Sequence, residues 1–548
     1  MDKKVIIDIE GIGKIVSVQG KTLEDIVKEN NIDNAIAALV NNELQELNYV
    51  INMDSSIKFV SNRDRIGSLI YISGLKFLFI TAVKELFGKD TDVLFKHSLD
   101  KGMFSILNKK INEEKLTMIK NKMKLMADLD IKIKKVTTTT KDAMNYFKDI
   151  GEYEKQENYK MITSETVTLY SLLDYYNYFF TAMPISTGCL KEFDLTLIDE
   201  KMIVITYPEV GTGKIEKYES LDKISGEIKD YFIWANKLNV NYVSDVNRVV
   251  INNRIKEFIQ LNEINHNQEL DKISKYIEKN IEKIKLICIA GPSSSGKTTT
   301  SKKLSLYLKS KGINPFVISL DNYFKNRENT PKDENGEYLF DSIDAIDINL
   351  FNKDLVKLLN KEEVKLPEYN FITGEREYKK PSVSLKDRDI LIIEGIHTLN
   401  EKLTSKIDRE NKYYIYVSPF TPLSLDRHSH VSTIDLRFIR RLVRDYRTRG
   451  RSALESLETW NQVRDSEEKY ILPYQKEADI VLNTALIYEL GMLKTYALPL
   501  LQSVGRDSIY YSESVRMINF LNNFLDIPVD IVPELSIIRE FIGKSYFD

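Results

Sequence analysis

The chain has 548 residues, with 78 Lys and Arg against 81 Asp and Glu, a net charge of −3. At about 150 residues per domain this length predicts three to four domains, and the charge balance excludes a whole-chain nucleic-acid binder, which needs a basic excess. Two cysteines, Cys189 and Cys288, exclude a disulfide framework and a four-cysteine zinc site, and 43% hydrophobic with 29% charged residues excludes disorder.

Met1 to Lys4 lead into Val5–Glu10, too short and too acidic for the apolar core of an export signal, so a cytoplasmic location is expected. Lys4–Ile9 and Lys14–Val18 read as a hairpin around Gly11 and Gly13, and Thr22 as the cap of a helix with Leu23, Ile26 and Val27 facing inward. Ala37–Val40 and Ile57–Val60 read as further strands. That order predicts a β-grasp module over residues 1–62. Gly20-Lys21-Thr22-Leu23-Glu24-Asp25 and Ala37 to Leu44 resemble a TGS domain, of the kind found at the front of threonyl-tRNA synthetases and some GTPases.

Gly67–Val83 is the best membrane-span candidate, but Lys76 at its centre costs roughly 2.5–3.5 kcal/mol on insertion. The spacing of Leu69, Ile72, Leu75, Phe79 and Ala82 predicts a core helix instead, and no membrane partner is expected. Ser73–Leu78, Ala82–Leu86 and Asp100-Lys101-Gly102-Met103-Phe104 resemble the second additional domain of threonyl-tRNA synthetase, which implies an α+β fold over 63–240. The resemblance places that domain's histidine pair on Ile72 and Lys76. No cysteine–histidine motif follows, since Cys189 precedes no histidine before His266, so tRNA-editing hydrolysis is not expected. His97, His266, His397, His428 and His430 form no i, i+4 pair; His428 and His430 read as solvated loop residues. Ile255, Phe258, Ile259, Leu261, Leu270, Ile273, Ile277 and Ile281 have helical period, so 241–283 reads as a helical connector.

Lys285–Ala290 is a short apolar run followed by Gly291-Pro292-Ser293-Ser294-Ser295-Gly296-Lys297-Thr298, the pattern G-x-x-x-x-G-K-[ST]. Thr299–Leu308 reads as the helix that must follow. The glycines let the backbone wrap a phosphate, amides at the helix start point at it, Lys297 reaches the β- and γ-phosphates, and the Thr298 hydroxyl can ligate Mg²⁺. Cys288 reads as a small core residue.

Pro315–Leu320 is a second apolar strand, ending in Asp321-Asn322-Tyr323-Phe324. Carboxyl ends of parallel strands face the ligand crevice, where a carboxylate can take the proton of an acceptor hydroxyl. Ile390–Ile393 is a third strand, ending in Glu394, which suits a Mg²⁺ shell. Tyr413–Val417 and Ile480–Leu482 are a fourth and fifth. Arg437, Arg440, Arg441 and Arg444 then share one helical face, with Arg447, Arg449 and Arg451 beyond, as in a lid that closes on phosphate.

These landmarks, with Phe340-Asp341-Ser342-Ile343-Asp344-Ala345, Pro367-Glu368-Tyr369-Asn370-Phe371 and Arg440-Arg441-Leu442-Val443-Arg444-Asp445, resemble the uridine kinase/phosphoribulokinase family of P-loop kinases over 284–490. The resemblance implies ATP and Mg²⁺ as cofactors, with ATP bound by Gly291 through Thr299. It places the catalytic base on Asp321, with Lys297, Arg444 and Arg449 as catalytic cations. It places acceptor contacts on Asp344, Tyr369, Arg441 and Arg451, and the metal on Thr298 and Glu394. A base-reading histidine of uridine kinases falls on Gly374 and a glutamine near Thr459 or Trp460, so the nucleobase is left open.

The expected architecture is therefore multidomain α/β: a β-grasp, a synthetase-like α+β domain, a P-loop kinase with a parallel sheet flanked by helices, and a helical extension over 491–548. The expected activity is transfer of the γ-phosphoryl group of ATP to the 5′-hydroxyl of a ribonucleoside. A sugar-phosphate kinase and an ATP-switched tRNA- or ribosome-binding protein are the alternatives. The expected partner is a small-molecule acceptor rather than a nucleic acid, and homo-oligomerisation is left open.

Overall fold

Alternating apolar residues build the first hairpin. Val5, Ile7 and Ile9 are buried along Lys4–Ile9, which pairs antiparallel with Gly13–Val18 and parallel with Ser55–Ser61. The sheet runs Gly13–Val18, Lys4–Ile9, Ser55–Ser61, Ala35–Val40, Glu43–Glu46. One helix, Leu23–Glu29, crosses it. Thr22 Oγ1 accepts from the Asp25 amide at 3.1 Å and the Asp25 carboxylate accepts from the Thr22 amide at 2.9 Å, a reciprocal cap that fixes the helix start. The computed structural model describes residues 3–96, 102–218, 222–332, 336, 338–370 and 373–548. His97, Asp100, Lys101 and Phe371 of the sequence reading lie outside them.

The helix Arg65–Phe87 is apolar and long enough to cross a membrane, yet 72% of its most apolar window is buried inside the protein. Leu75, Phe79 and Ala82 enter the core, with Phe95, Met123 and Ile203. Leu69 does not. It is 40% exposed because it lines a cleft beside the C-terminal helix Tyr511–Leu521, not the core. Two antiparallel sheets complete this region: Asp194–Asp199, Met202–Thr206, Gly102–Leu107 and Val93–Lys96 in order, and Tyr175–Asn177, Thr166–Leu172 and Lys134–Thr139.

Helix Asp222–Lys237 packs toward the C-terminal half. Tyr231 donates to the Ala485 carbonyl at 2.7 Å, and Tyr231 and Ala235 share a core with Phe438, Leu442 and Leu486. Helices Val243–Ile251 and Ile255–Lys279 follow, and Leu270, Ile273 and Ile277 cover one face of the next sheet.

That sheet has five strands, all parallel: Asn314–Ser319, Asp389–Glu394, Leu286–Ala290, Lys412–Ser418 and Ile480–Asn483 in order. Leu286–Ala290 is wholly buried, as a parallel strand covered on both faces must be. It sits at the centre and leads into the loop at 291–298, so the loop opens at the carboxyl edge of the sheet, where such folds place ligands.

Between the fourth strand and helix Thr433–Arg449, the chain makes a hairpin, Ser424–Asp426 with Ser429–His430, that docks on the N-terminal half. His428 is 3% exposed, which overturns the solvated-loop reading. Lys155 Nζ lies 2.6 Å from its Nδ1, and Lys155 pairs with Glu152 at 2.7 Å. These partners lie far away in sequence, so the local pattern around His428 gives no sign of them. The C-terminal helix Glu489–Gln502 and the short helix Arg539–Ile542 pack on Thr433–Arg449, Tyr511–Leu521 packs on Glu489–Gln502, and Phe520, Leu521 and Phe541 share one core with Phe438 and Leu442.

Candidate active site

The glycines of the loop are required by its path. A Cβ on Gly291 would lie 2.1 Å from the Val417 carbonyl oxygen, and Gly296 has φ of 90°. Ser294 also takes a left-handed φ, 59°, and the loop so turned opens into helix Lys297–Ser310. Lys297 Nζ donates to the carbonyls of Gly291 and Pro292 at 2.9 and 3.0 Å, which holds its charge across the mouth of the loop. Burial lowers its pKa, against the pull of Glu394, Asp321, Glu540 and Glu467. Thr298 is exposed beside it, and the hydroxyls of Ser294 and Ser295 are buried with no hydrogen-bond partner among the described residues.

A second layer fixes the loop from behind. The Ser293 amide donates to Glu467 at 2.8 Å, while Arg437 Nε donates to the Ser293 carbonyl at 3.0 Å and pairs with Glu467. Arg440 is fully buried; it donates to Glu489 at 2.6 and 2.9 Å and to the Thr484 carbonyl at 2.8 Å. Thr484 in turn donates to the Ser295 carbonyl at 2.6 Å. So the expected single phosphate-facing face of the arginine helix is divided. Arg437 and Arg440 are committed to internal carboxylates, because a guanidinium buried at that depth needs a paired anion. Residues Glu467, Arg437 and Arg440 thus support the loop, and the sequence reading missed that role.

Arg441 Nη1 donates to Ser293 Oγ at 3.0 Å. Arg441, Arg444 and Arg449 converge on Asp445, at 3.5, 2.8 and 3.3 Å. Burial would raise the Asp445 carboxyl, and Arg444, Arg441 and Arg449 together hold it below its ordinary value. Asp445 therefore gathers three cations into one place and limits their mutual repulsion. Arg451 follows the helix cap at Gly450 and lies close enough to act electrostatically on Arg441 and Arg449.

Asp321 follows strand Asn314–Ser319 and opens to solvent at the cleft. The walls around it raise its pKa by desolvation, while Lys297, Arg449 and Arg444 oppose that rise. Glu394, at the end of the neighbouring strand, is raised to about 7 by burial and by Asp321, with Lys297 opposing. Asp321 and Glu394 thus both act electrostatically on Lys297, and Glu394 and the neighbouring Thr298 hydroxyl are hard oxygen donors of the kind Mg²⁺ takes. The structure brings Asp321, Lys297, Thr298, Glu394, Arg444 and Arg449 to this one end of the sheet.

Asp344 and Tyr369 lie on the flank beyond Asp321. Tyr369 is 8% exposed and packs on Phe324 at 5.5 Å between ring centroids, and its amide donates to Asn322 at 3.4 Å. Asp344 is exposed, its amide held by Ser342 at 3.2 Å. His397 is 2% exposed, lies close enough to feel Asp344, and is lowered to about 4 by burial, so it is neutral. At Gly374, a Cβ would lie 2.8 Å from Arg327 Cβ and 2.9 Å from Arg327 Nε. A guanidinium therefore stands where the sequence reading looked for a lost base contact.

The family model for the phosphoribulokinase/uridine kinase family matches residues 286–487. A uridine kinase of Borrelia duttonii is 35% identical over 205 residues, which cover 36% of this chain and 86% of that protein. The chain belongs to the phosphoribulokinase/uridine kinase family. A uridine kinase of Bacillus pumilus is 32% identical over 199 residues, covering 36% of this chain and 85% of the relative. A solved structure described as a possible uridine kinase from Bacillus stearothermophilus is 22% identical, covers 39% of this chain and all of its own, and superposes with a TM-score of 0.27. Membership makes the chain a nucleotide-binding phosphotransferase with an alcohol acceptor. Family matches and relatives alike lie in the C-terminal part.

Proposed function

We propose that this chain is an ATP- and Mg²⁺-dependent kinase that phosphorylates the 5′-hydroxyl of a ribonucleoside. The observation that carries this reading is the placement of Asp321, opposite Lys297 and within electrostatic reach of Arg444 and Arg449. A hydroxyl arriving at Asp321 would meet a carboxylate whose raised pKa suits proton uptake. Asp321 accepts that proton as the hydroxyl oxygen bonds to the γ-phosphorus and the bond from phosphorus to the β–γ bridging oxygen breaks. Lys297, Arg444 and Arg449 offset the charge that develops on the phosphoryl oxygens. Gly291 through Thr299 hold the phosphate chain. Thr298 and Glu394 would hold Mg²⁺, which supplies further neutralisation of the phosphates when bound. Asp344 can accept from both hydroxyls of a ribose, with Tyr369, Arg441 and Arg451 as further acceptor contacts. The relatives' description as uridine kinases supports a ribonucleoside acceptor.

Arg327 beside Gly374 and Tyr369 favours one second reading, an acceptor that itself carries phosphate, as in a sugar-phosphate kinase. For the N-terminal half, the mixed sheet with its single capped helix supports the TGS-like reading. Its buried contacts with the kinase hairpin support a structural role there.

The test is ATP consumption by the full chain with Mg²⁺, offered ribonucleosides, deoxyribonucleosides, ribulose 5-phosphate or no acceptor. Turnover with ribonucleosides is expected. Turnover confined to the sugar phosphate would replace this reading with the second, and turnover no greater with any acceptor than without one would remove both.

A further inference from the structure

The first turn of helix Lys297–Ser310 presents amides with no partner inside the helix, and these are the groups a nucleotide phosphate uses. One of them is already taken. The Thr299 amide donates to Glu540 Oε2 at 3.1 Å. Glu540 comes from the far end of the chain, in the short helix Arg539–Ile542, and its charge also acts on Lys297 and Glu394. A carboxylate there mimics one edge of a phosphate: the same negative charge and the same acceptor oxygens.

The segment that carries Glu540 is built onto the loop. A Cβ on Gly296 would lie 2.7 Å from Ile537 Cδ1, so Ile537 presses directly on the loop's second glycine. Arg539 anchors the segment by donating to the Val532 carbonyl at 2.6 Å. Arg447, in the last turn of the arginine helix, donates to the carbonyls of Glu540 and Phe541 at 3.0 and 3.2 Å. Arg440 sits 4.9 Å over the Phe541 ring. The Glu540 backbone is thus held by the same helix that carries Arg441 and Arg444, while its side chain is only half buried and can turn away.

We infer that Glu540 is a built-in competitor for the nucleotide, a residue of the C-terminal extension whose carboxylate holds the Thr299 amide and must leave it when a nucleotide phosphate enters the loop. This rests on the reading of Gly291–Thr299 as the nucleotide site. The contact has two effects. It satisfies a helix-terminal amide and partly neutralises Lys297. It also sets nucleotide affinity below what the loop alone would give, since an incoming phosphate must displace one anion and bind near it. Because Arg447 grips the Glu540 main chain, displacement is felt at the end of the arginine helix.

The experiment is calorimetric titration of the full chain with MgADP and with MgATP, comparing the parent protein, Glu540→Gln, Glu540→Ala and Lys297→Met, with thermal unfolding of each variant to confirm folding. Glu540→Gln and Glu540→Ala should tighten MgADP binding by about three- to tenfold, since each removes one competing charged contact. Glu540→Gln keeps the side-chain shape, so a fold lost in the alanine variant leaves the test intact. Unchanged or weaker binding in a folded Glu540→Gln, with binding lost in Lys297→Met, would overturn the inference and leave the nucleotide site standing. Parent-level binding in a folded Lys297→Met would overturn the site and the inference together.

Discussion

Arg427 of the kinase hairpin and Glu154 of the N-terminal half form a two-pronged ion pair, Nε to Oε1 at 2.6 Å and Nη2 to Oε2 at 3.0 Å. Their side chains are 15% and 6% exposed. Arg427 also reaches Asp92 at 2.7 Å and the Gly151 carbonyl at 3.0 Å, so one guanidinium gathers three N-terminal groups. Removing one member of such a pair leaves the other charged and buried, at a cost of about 3–5 kcal/mol. Arg427→Ala should lower the urea midpoint accordingly, and adding Glu154→Leu should recover part of the loss. An Arg427→Ala midpoint equal to the parent's would show that the pair does not join the halves.

Asp321→Asn keeps the shape of the cleft and removes the proposed proton acceptor. Turnover should fall about 10²- to 10⁴-fold, with MgADP affinity changed by no more than about threefold by calorimetry. A comparable loss of nucleotide affinity would place Asp321 in nucleotide binding instead.

Gly291→Ala asks whether the close packing of the loop on the Val417 strand is obligatory. The added Cβ meets a backbone oxygen at 2.1 Å, and backbone cannot swing aside. Nucleotide binding should be lost and the melting temperature lowered. A variant that binds MgADP like the parent would mean the loop can move off the sheet.

Glu227 gives a pH signature away from the cleft. Burial, with Glu269 and Asp230 nearby and Lys272 opposing, raises its carboxyl to about 7 from an ordinary 4.5. Below the ordinary value the group is protonated in both folded and unfolded chains, so it costs nothing. Between the two values the unfolded chain ionises and the folded one resists, so stability is lost as pH rises to about 7 and stays lost above. Glu227→Gln mimics the protonated acid. Its melting temperature should exceed the parent's near pH 8 and match it near pH 4; equal values at both would refute the shift.

Asp344→Asn should raise the KM for a ribonucleoside about tenfold or more, because a charged acceptor of hydrogen bonds from two hydroxyls is replaced by a neutral amide. The preference for ribo- over deoxyribonucleosides should shrink with it. A KM that stays put, or a loss confined to kcat, would remove Asp344 from acceptor binding.

How much of this was legible depends on the sequence distance over which each contact acts. The strand, loop and helix around Gly291–Thr298 were readable because an apolar run, two glycines and a following helical period are local features. Asp321 and Glu394 were readable for the same reason, as polar residues at the ends of apolar strands. The hairpin at Lys4–Val18 and the Thr22 cap follow from alternation and capping chemistry within a few residues. Leu69 was misread because helical spacing gives a face but does not say what covers it.

The sequence by itself determined the phosphate loop, the strand ends that carry carboxylates, and the supply of arginines, since these depend on neighbours along the chain. Only the tertiary structure decided what each charge does. Glu467 meets Ser293 across 174 residues, Glu540 meets Thr299 across 241, and Lys155 meets His428 across 273. At those separations no periodicity connects the partners. Which carboxylate each arginine meets is set by packing, because a guanidinium out of water must find an anion where the fold places one.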